Sequence, residues 1–451
     1  MKSFFLLFFS VILCLSITIN SQSNTWLHFT TDNSLLPSPH ISSIHEDING
    51  NYWVGCLPFS FGANNYPGGL VKISNSNWEV FNKNNSGLVS HTINDITSDS
   101  NGNIWLASDS GLIKYDGINW FVYNETNSGL PSKKIYLVKY DANGALWIVT
   151  YYDGLVRYDG TNWERYHTGN SNLLSNDIES IAIDKNGILW LGLEGYGLSR
   201  FDGSVFTRVS SPSFLSGLSY VLALGIGKDN SKWIGATGSA IKFGKYDDTS
   251  WTLFDSTIIG SNPSPIWKGI VTDTNNIVWF GTNTGLFKYD HSNWKKYDKS
   301  NSTFPLPGNV ILSLYSDKNN NILFCPSDGL SPQFNKYGLM VFNENGINGI
   351  TSINDFSQPI KFDFKLYQNY PNPFNPITNF SYFLSKSGYV SITLFDFLGK
   401  EIAYLFDSEL PEGYHQLRFD ANKYNLSSGI YFYVFTLNGI QRETLKIVYL
   451  R

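Results

Sequence analysis

Most of the chain alternates short apolar and polar runs, each ended by an Asn, Asp or Gly turn, and no long helical period interrupts them. Gly111-Leu112-Ile113-Lys114-Tyr115 alternates faces, Asp116-Gly117 turns, and Trp120-Phe121-Val122-Tyr123 returns, which predicts an antiparallel hairpin. The phrase recurs seven times. Its acidic start is Asp47, Asp99, Asp141, Asp184, Asp273 and Asp317, with Gly227 in the fifth copy. Three residues further on stand Gly50, Gly102, Gly144 and Gly187, then Asn230, Asn276 and Asn320, the residue types that best tolerate positive φ, so the segment predicts a tight turn. Trp53, Trp105, Trp147, Trp190, Trp233 and Trp279 come next, at spacings of 52, 42, 43, 43 and 46. That period is the length of one four-stranded blade and predicts an all-β, seven-bladed β-propeller.

The outer strand of each unit carries an aromatic pair such as Trp78/Phe81, Trp163/Tyr166, Trp251/Phe254 or Trp294/Tyr297. The seventh unit has no such strand after Asn343, whereas Trp26-Leu27-His28-Phe29 precedes the first unit without strands of its own. The N-terminal strand is therefore expected to complete the last blade and close the ring.

After Phe342 the repeat is lost. Residues 345–361 read as a linker, and residues 362–451 as a small Ig-like β-sandwich with strands at Asn379–Leu384, Tyr389–Asp396, Glu401–Phe406, Gly413–Asp420, Gly429–Leu437 and Gln441–Leu450. At the other end, Lys2, the apolar run Phe4 to Ile19 and Asn20-Ser21-Gln22 read as a signal peptide over residues 1–21, leaving the propeller at 22–344 and no transmembrane helix. The net charge of −5, without basic runs, argues against a nucleic-acid partner. Cys56 and Cys325 fall in adjacent blades and are expected as buried thiols, with a disulfide as the alternative.

Two resemblances add what periodicity does not. Tyr367-Gln368-Asn369-Tyr370-Pro371-Asn372-Pro373-Phe374-Asn375-Pro376, Phe395-Asp396-Phe397-Leu398-Gly399-Lys400-Glu401, Ser428-Gly429-Ile430-Tyr431-Phe432-Tyr433 and Lys446-Ile447-Val448-Tyr449-Leu450 resemble, in order, the type A C-terminal sorting domain of the type IX secretion system. The resemblance implies Asn369, Pro371, Asn372, Pro373, Phe374, Asn375, Pro376, Gly399, Gly429 and Tyr431 as the sorting signal. It implies the secretion machinery and its sorting peptidase as partners, a secreted or cell-surface location, and a source among the Bacteroidota or relatives. Gly129-Leu130-Pro131, Asp141-x-Asn143-Gly144-x-x-Trp147 and Asp153-Gly154-Leu155 are similar to the two-component regulator propeller repeat. Such repeats form periplasmic sensor propellers, but no kinase or receiver segment follows here.

Chemistry-bearing motifs are sparse. Counted from Asp99 as an EF-hand loop, the sixth place is Ile104 and the twelfth Ser110, so the turns are not calcium loops, and no His or Cys spacing suits a metal. No catalytic residue, metal or cofactor is expected. A ligand is expected at the face where inner strands begin, seven residues before each turn Asp: His40, Thr92, Lys134, Asp177 and Tyr220 are polar, whereas Ile266 and Val310 are apolar. Loops between second and third strands add Phe59, Phe61, Tyr66, Tyr151, Tyr152, Glu194, Tyr196, Phe334 and Tyr337. Aromatics beside carboxylates suit sugars or a protein surface. The expected function is a secreted or surface binding protein for a glycan or protein. The alternatives are a propeller lyase or hydrolase, which would use His40, Lys134, Asp177 and Glu194, and a structural adhesin.

Overall fold

The computed structural model describes residues 25–61, 64–74, 77–210, 215, 220–238, 242–259, 263–300, 306–330, 336–350, 364–384, 387–438 and 441–451. The signal-peptide segment, most of the expected linker, Phe334 and the side chain of Phe61 lie outside the described residues.

The fold is all-β, built from repeated four-stranded antiparallel sheets, of which the propeller region holds seven among the described residues. Six are contiguous in sequence, as in Ile135–Tyr140, Leu146–Thr150, Gly154–Tyr158 and Trp163–Tyr166. In the seventh, Val310–Ser316, Ile322–Ser327 and Leu339–Phe342 are joined by Trp26–Phe29, with Trp26 opposite Phe342 and Phe29 opposite Leu339. First strands of consecutive sheets lie side by side, and Ile41–Glu46 neighbours both Ile93–Ser98 and Val310–Ser316.

Each turn takes the backbone its sequence demands. Gly102 has φ +80° and Asn276 has φ +65°, and Asp99 O accepts from Gly102 N at 3.0 Å. The side chain of the turn aspartate is engaged as well. Asp99 Oδ1 accepts from Asn101 N and Asn103 N, both at 3.0 Å, and Oδ2 accepts from the Trp105 indole N–H at 3.0 Å. The indole bond recurs at Asp47–Trp53, Asp141–Trp147, Asp184–Trp190 and Asp273–Trp279.

These tryptophans bind sheet to sheet. Trp53 meets Tyr115 edge-on at 5.9 Å, Trp105 meets Tyr158 at 6.0 Å, Trp147 meets Phe201 at 5.7 Å and Trp279 meets Phe342 at 5.9 Å. Each such pair adds about 0.5–1.5 kcal/mol beyond its buried area. Tyr52 donates to Asp317 Oδ2 at 2.6 Å, linking the first sheet to the last. Cys56 and Cys325 are buried free thiols; Cys325 Sγ lies 3.5 Å from Pro39 O.

Residues 364–451 form a three-stranded sheet facing a four-stranded one. Five of the six expected strands agree with the structure to within a few residues at each end, and Glu401–Leu410 runs further than Glu401–Phe406 because its partner Gly388–Asp396 pairs with it along that length. A strand at Phe364–Tyr370, overlapping the start of the first sorting motif, was not expected from the sequence. Its Pro-rich continuation masks the alternation, and pairing with Ile377–Leu384 makes it a strand.

Candidate functional site

The starts of the first strands and the loops between second and third strands share one face. Backbone bonds tie them together: Tyr151 N donates to Lys134 O at 3.1 Å and Glu194 N to Asp177 O at 3.2 Å.

On this face Asp177, Glu179 and Glu194 bring their carboxylate oxygens within 4.8 Å of one another. Like charges at that distance cannot all ionise freely. Burial and the hydrogen bond to Glu194 push the Asp177 carboxyl up to about 7, while bonds from Asp177 and Tyr220 hold Glu194 low. Below about pH 7 Asp177 therefore carries a proton, which Glu194 accepts. Glu179 is raised by burial and takes the Trp267 indole N–H at 2.6 Å on Oε2. The same three carboxylates have the spacing to hold a cation, though hydrogen-bond donors already engage them.

Aromatic rings surround the carboxylates. Tyr151 and Tyr152 pack edge-on at 4.2 Å and are 50% and 56% exposed, and Lys134 Nζ lies 5.8 Å above the Tyr151 ring. Tyr196 and Trp267 are also exposed. Tyr136, half-buried behind them, has its phenol pushed well up by burial and by Glu179, Asp95 and Asp177. The fold thus brings together Lys134, Asp177, Glu194, Tyr151, Tyr152 and Tyr220 from the expected set.

Other expected residues stand elsewhere. His40 is half-buried against Phe59, with ring centroids 6.1 Å apart, and burial followed by the Lys336 charge lowers its pKa to about 4, so it is neutral. Phe59 is only 5% exposed and stacks on Tyr66 at 6.2 Å, so this expected loop aromatic packs on its own unit instead of facing a ligand. Tyr337 is half-buried and donates to Asp328 Oδ2 at 2.5 Å. Thr92 makes no contact with the acidic cluster; its N–H donates to Ser90 Oγ at 3.0 Å.

Ile266 is the wrong residue for the strand start. The register runs from Pro265–Thr282 directly to Ile270–Phe280, and Ser264 O accepts from Asn283 N as Lys134 O does from Tyr151 N. Relative to the other units, two extra residues are absorbed by a bulge in which Lys268 has φ +57°. The bulge carries Trp267 to Glu179 and Lys268 to Asp95, whose Oδ1 is 2.9 Å from Nζ. The signal for it was the 46-residue spacing before Trp279, against 43 for the preceding unit. Glu179 was missed although it lies two residues, one pleat repeat, beyond Asp177.

The sorting motifs converge in the second domain. Phe374 N donates to Val448 O and Leu450 N to Phe374 O, both at 3.0 Å, and Val448 N donates to Asn372 Oδ1 at 2.8 Å. Asn369, nearly fully buried, donates to Pro371 O and Thr378 Oγ1. Gly399 turns with φ +82°, and the Tyr431 hydroxyl donates to Ser427 O at 2.7 Å. The Asn-Pro-Phe loop thus clamps the C-terminal strand.

Repeated four-stranded sheets whose first strands lie side by side define a propeller-type architecture. Residues 35–57, 87–110 and 172–195 match the two component regulator propeller, and residues 368–449 match the secretion system C-terminal sorting domain. The chain therefore carries regulator propeller repeats followed by a secretion sorting domain, which indicates secretion or cell-surface localisation and interaction with the secretion machinery. No curated protein matches the sequence.

Among solved structures, the chain is similar to the extracellular domain of a hybrid two component system from B. thetaiotaomicron, at 19% identity and TM-score 0.56 over 94% of this chain and 57% of that one. It is similar to PorZ, a surface component of the type-IX secretion system of Porphyromonas gingivalis, at 17% identity and TM-score 0.51 over 92% and 59%. It is also similar to streptogramin B lyase, at 13% identity and TM-score 0.53 over 70% and 97%. The chain spans little more than half the length of the first two. These likenesses establish the fold. No helix among the described residues is long and apolar enough to cross a membrane.

Proposed function

We propose that the protein is a secreted or cell-surface propeller that binds a glycan, or a protein surface of similar polarity, on the face where the first strands begin. Its domains are a signal peptide at 1–21, a propeller at 22–344, a linker at 345–361 and a sorting domain at 362–451. The propeller has seven blades and is closed by Trp26–Phe29; the pairing of that strand with Leu339–Phe342 supports this.

The observation that carries the binding reading is the carboxylate group of Asp177, Glu179 and Glu194 set beside exposed Tyr151, Tyr152 and Trp267. Rings offer faces to the C–H side of a sugar, and carboxylates accept from its hydroxyls. A glycan array probed with the mature protein should give hits that Tyr151→Ala and Glu194→Gln weaken by about tenfold or more, since each removes a contact worth about 1–3 kcal/mol. An array without hits, or hits indifferent to both substitutions, would sink the glycan reading.

A hydrolase or lyase is the second reading, favoured by the Asp177 proton, which a general acid at neutral pH would use. It predicts turnover of a bound oligosaccharide that disappears in Asp177→Asn. His40 does not serve it, because it packs against Phe59 on another sheet, outside the acidic cluster.

A further inference from the structure

The first strands of the sheets enclose a central cavity of about 410 Å3, separate from the acidic face. Its lining runs from Ser42, Asp95 and Lys268 at the strand starts to Thr272 and Ser316 beside the Asp-x-Asn-Gly turns. The end towards the acidic face is spanned by the Lys268 ammonium, held by Asp95 Oδ1 at 2.9 Å and by Asn94 O. The other end continues into a second hollow of about 290 Å3, which shares Ile226, Thr272 and Ser316 with the first and is lined by Lys185, Lys228 and Lys318 together with Asp273 and Asp317. The cavity therefore opens on the turn face, through a mouth of mixed charge in which Lys318 is paired with Glu46 at 2.7 Å.

Two features of the lining call for a ligand. Ser313 is 2% exposed and its hydroxyl has no partner among the described residues; the same holds for the hydroxyls of Thr272 and Ser316. A buried hydroxyl without a partner costs about 1–3 kcal/mol. The second feature is charge. Lys139, exposed to the solvent of the channel, lines the cavity and acts on Asp95 from beyond ion-pair distance. Asp95 is neutralised by Lys268, and His45 is uncharged, because burial and the nearby Lys139 lower its pKa to about 4. One positive charge is left over, at the level of the unpartnered hydroxyls and below the Lys268–Asp95 bridge.

We propose that this channel is a binding site for a small polyhydroxylated anion, of the size of a sugar acid or sugar phosphate, which enters from the turn face and sets its acidic group against Lys139. Its hydroxyls would satisfy Ser313, Thr272 and Ser316, and the volume falls within the range of about 300–1,000 Å3 usual for small-molecule sites. The site is independent of the acidic face, from which the Lys268–Asp95 bridge separates it.

Calorimetric titration of the full chain with glucuronate, glucose 6-phosphate and glucose tests this. At least one of the two anionic sugars should bind and glucose should not; which anion binds identifies the acidic group as carboxylate or phosphate. Lys139→Gln should weaken binding by about tenfold or more, and Ser313→Ala by about fivefold. Tyr151→Ala, which alters the acidic face and no residue of the cavity lining, should leave the affinity unchanged. The proposal is overturned if neither anion binds at millimolar concentration, if glucose binds as well as the anions, or if Lys139→Gln binds like the parent. Loss of binding in Tyr151→Ala with none in Lys139→Gln would overturn it too, by placing the anion on the other face.

Discussion

In five of the seven turns the opening aspartate holds several backbone and side-chain donors at once, and its indole bond fixes the tryptophan that meets the next sheet. Asp99 is 6% exposed, so Asp99→Ala leaves the Trp105 N–H and the amides of Asn101 and Asn103 without their acceptor. The expected loss is about 2–4 kcal/mol in urea-induced unfolding. The fifth unit shows what its absence does: Gly227 stands in place of the aspartate, and the Trp233 indole N–H has no partner among the described residues. Turn position and residue type were legible in the sequence; the indole bond was not, because a six-residue separation becomes a contact only once the hairpin has formed.

Asp177 makes a pH prediction at the same scale. Its native carboxyl titrates at about 7, above the value of about 4 for an unfolded aspartate, so the folded state binds the proton more tightly. The stability it contributes is full below about pH 4 and is lost as pH rises through 7. Unfolding free energies measured from pH 4 to 8 should fall more steeply for the parent than for Asp177→Asn. Equal slopes would mean that Asp177 and Glu194 share no proton.

Among the elements, Trp26–Phe29 is a short strand with a long reach. Trp26 stacks on Phe342 at 4.1 Å, and Phe29 meets Trp78 of the first sheet at 5.1 Å. Leu27→Pro removes a ladder donor and forces the strand out of register, and should cost about 3 kcal/mol or more in chemical denaturation if this strand closes the ring. A loss below about 1 kcal/mol would show that the last sheet stands without it. The missing outer strand could be counted in the sequence because an absent Trp-x-x-aromatic is as visible as a present one. The bulge at Trp267 could not be read there, since three extra residues fit equally well in any loop of that unit; ladder pairing put two of them in the first strand.

For the whole molecule, the sorting domain makes export separable from the propeller. Deleting residues 362–451 should leave the propeller folded in the periplasm, as read by fractionation and immunoblotting, while the intact chain reaches the surface or medium. Continued export of the truncated chain would refute a sorting role for the tail. Asn372 and Phe374 clamp the strand that carries Val448 and Tyr449, so the first and last sorting motifs form one structural unit although 76 residues separate Asn372 from Val448.

Sequence alone determined the repeat, the turn conformations, the all-β class and the sorting domain, because each depends on local chemistry: which residues accept positive φ, which alternate, which aromatics recur. Only the tertiary structure decided which side chains meet. Asp177, Glu179 and Glu194 belong to one sheet and Trp267 to another that is not consecutive with it, and Lys268 reaches Asp95 across the channel from a residue 173 positions away. Those distances depend on how the sheets are arranged about one another and on one bulge. Neither leaves a local mark strong enough to place a particular carboxylate beside a particular ring.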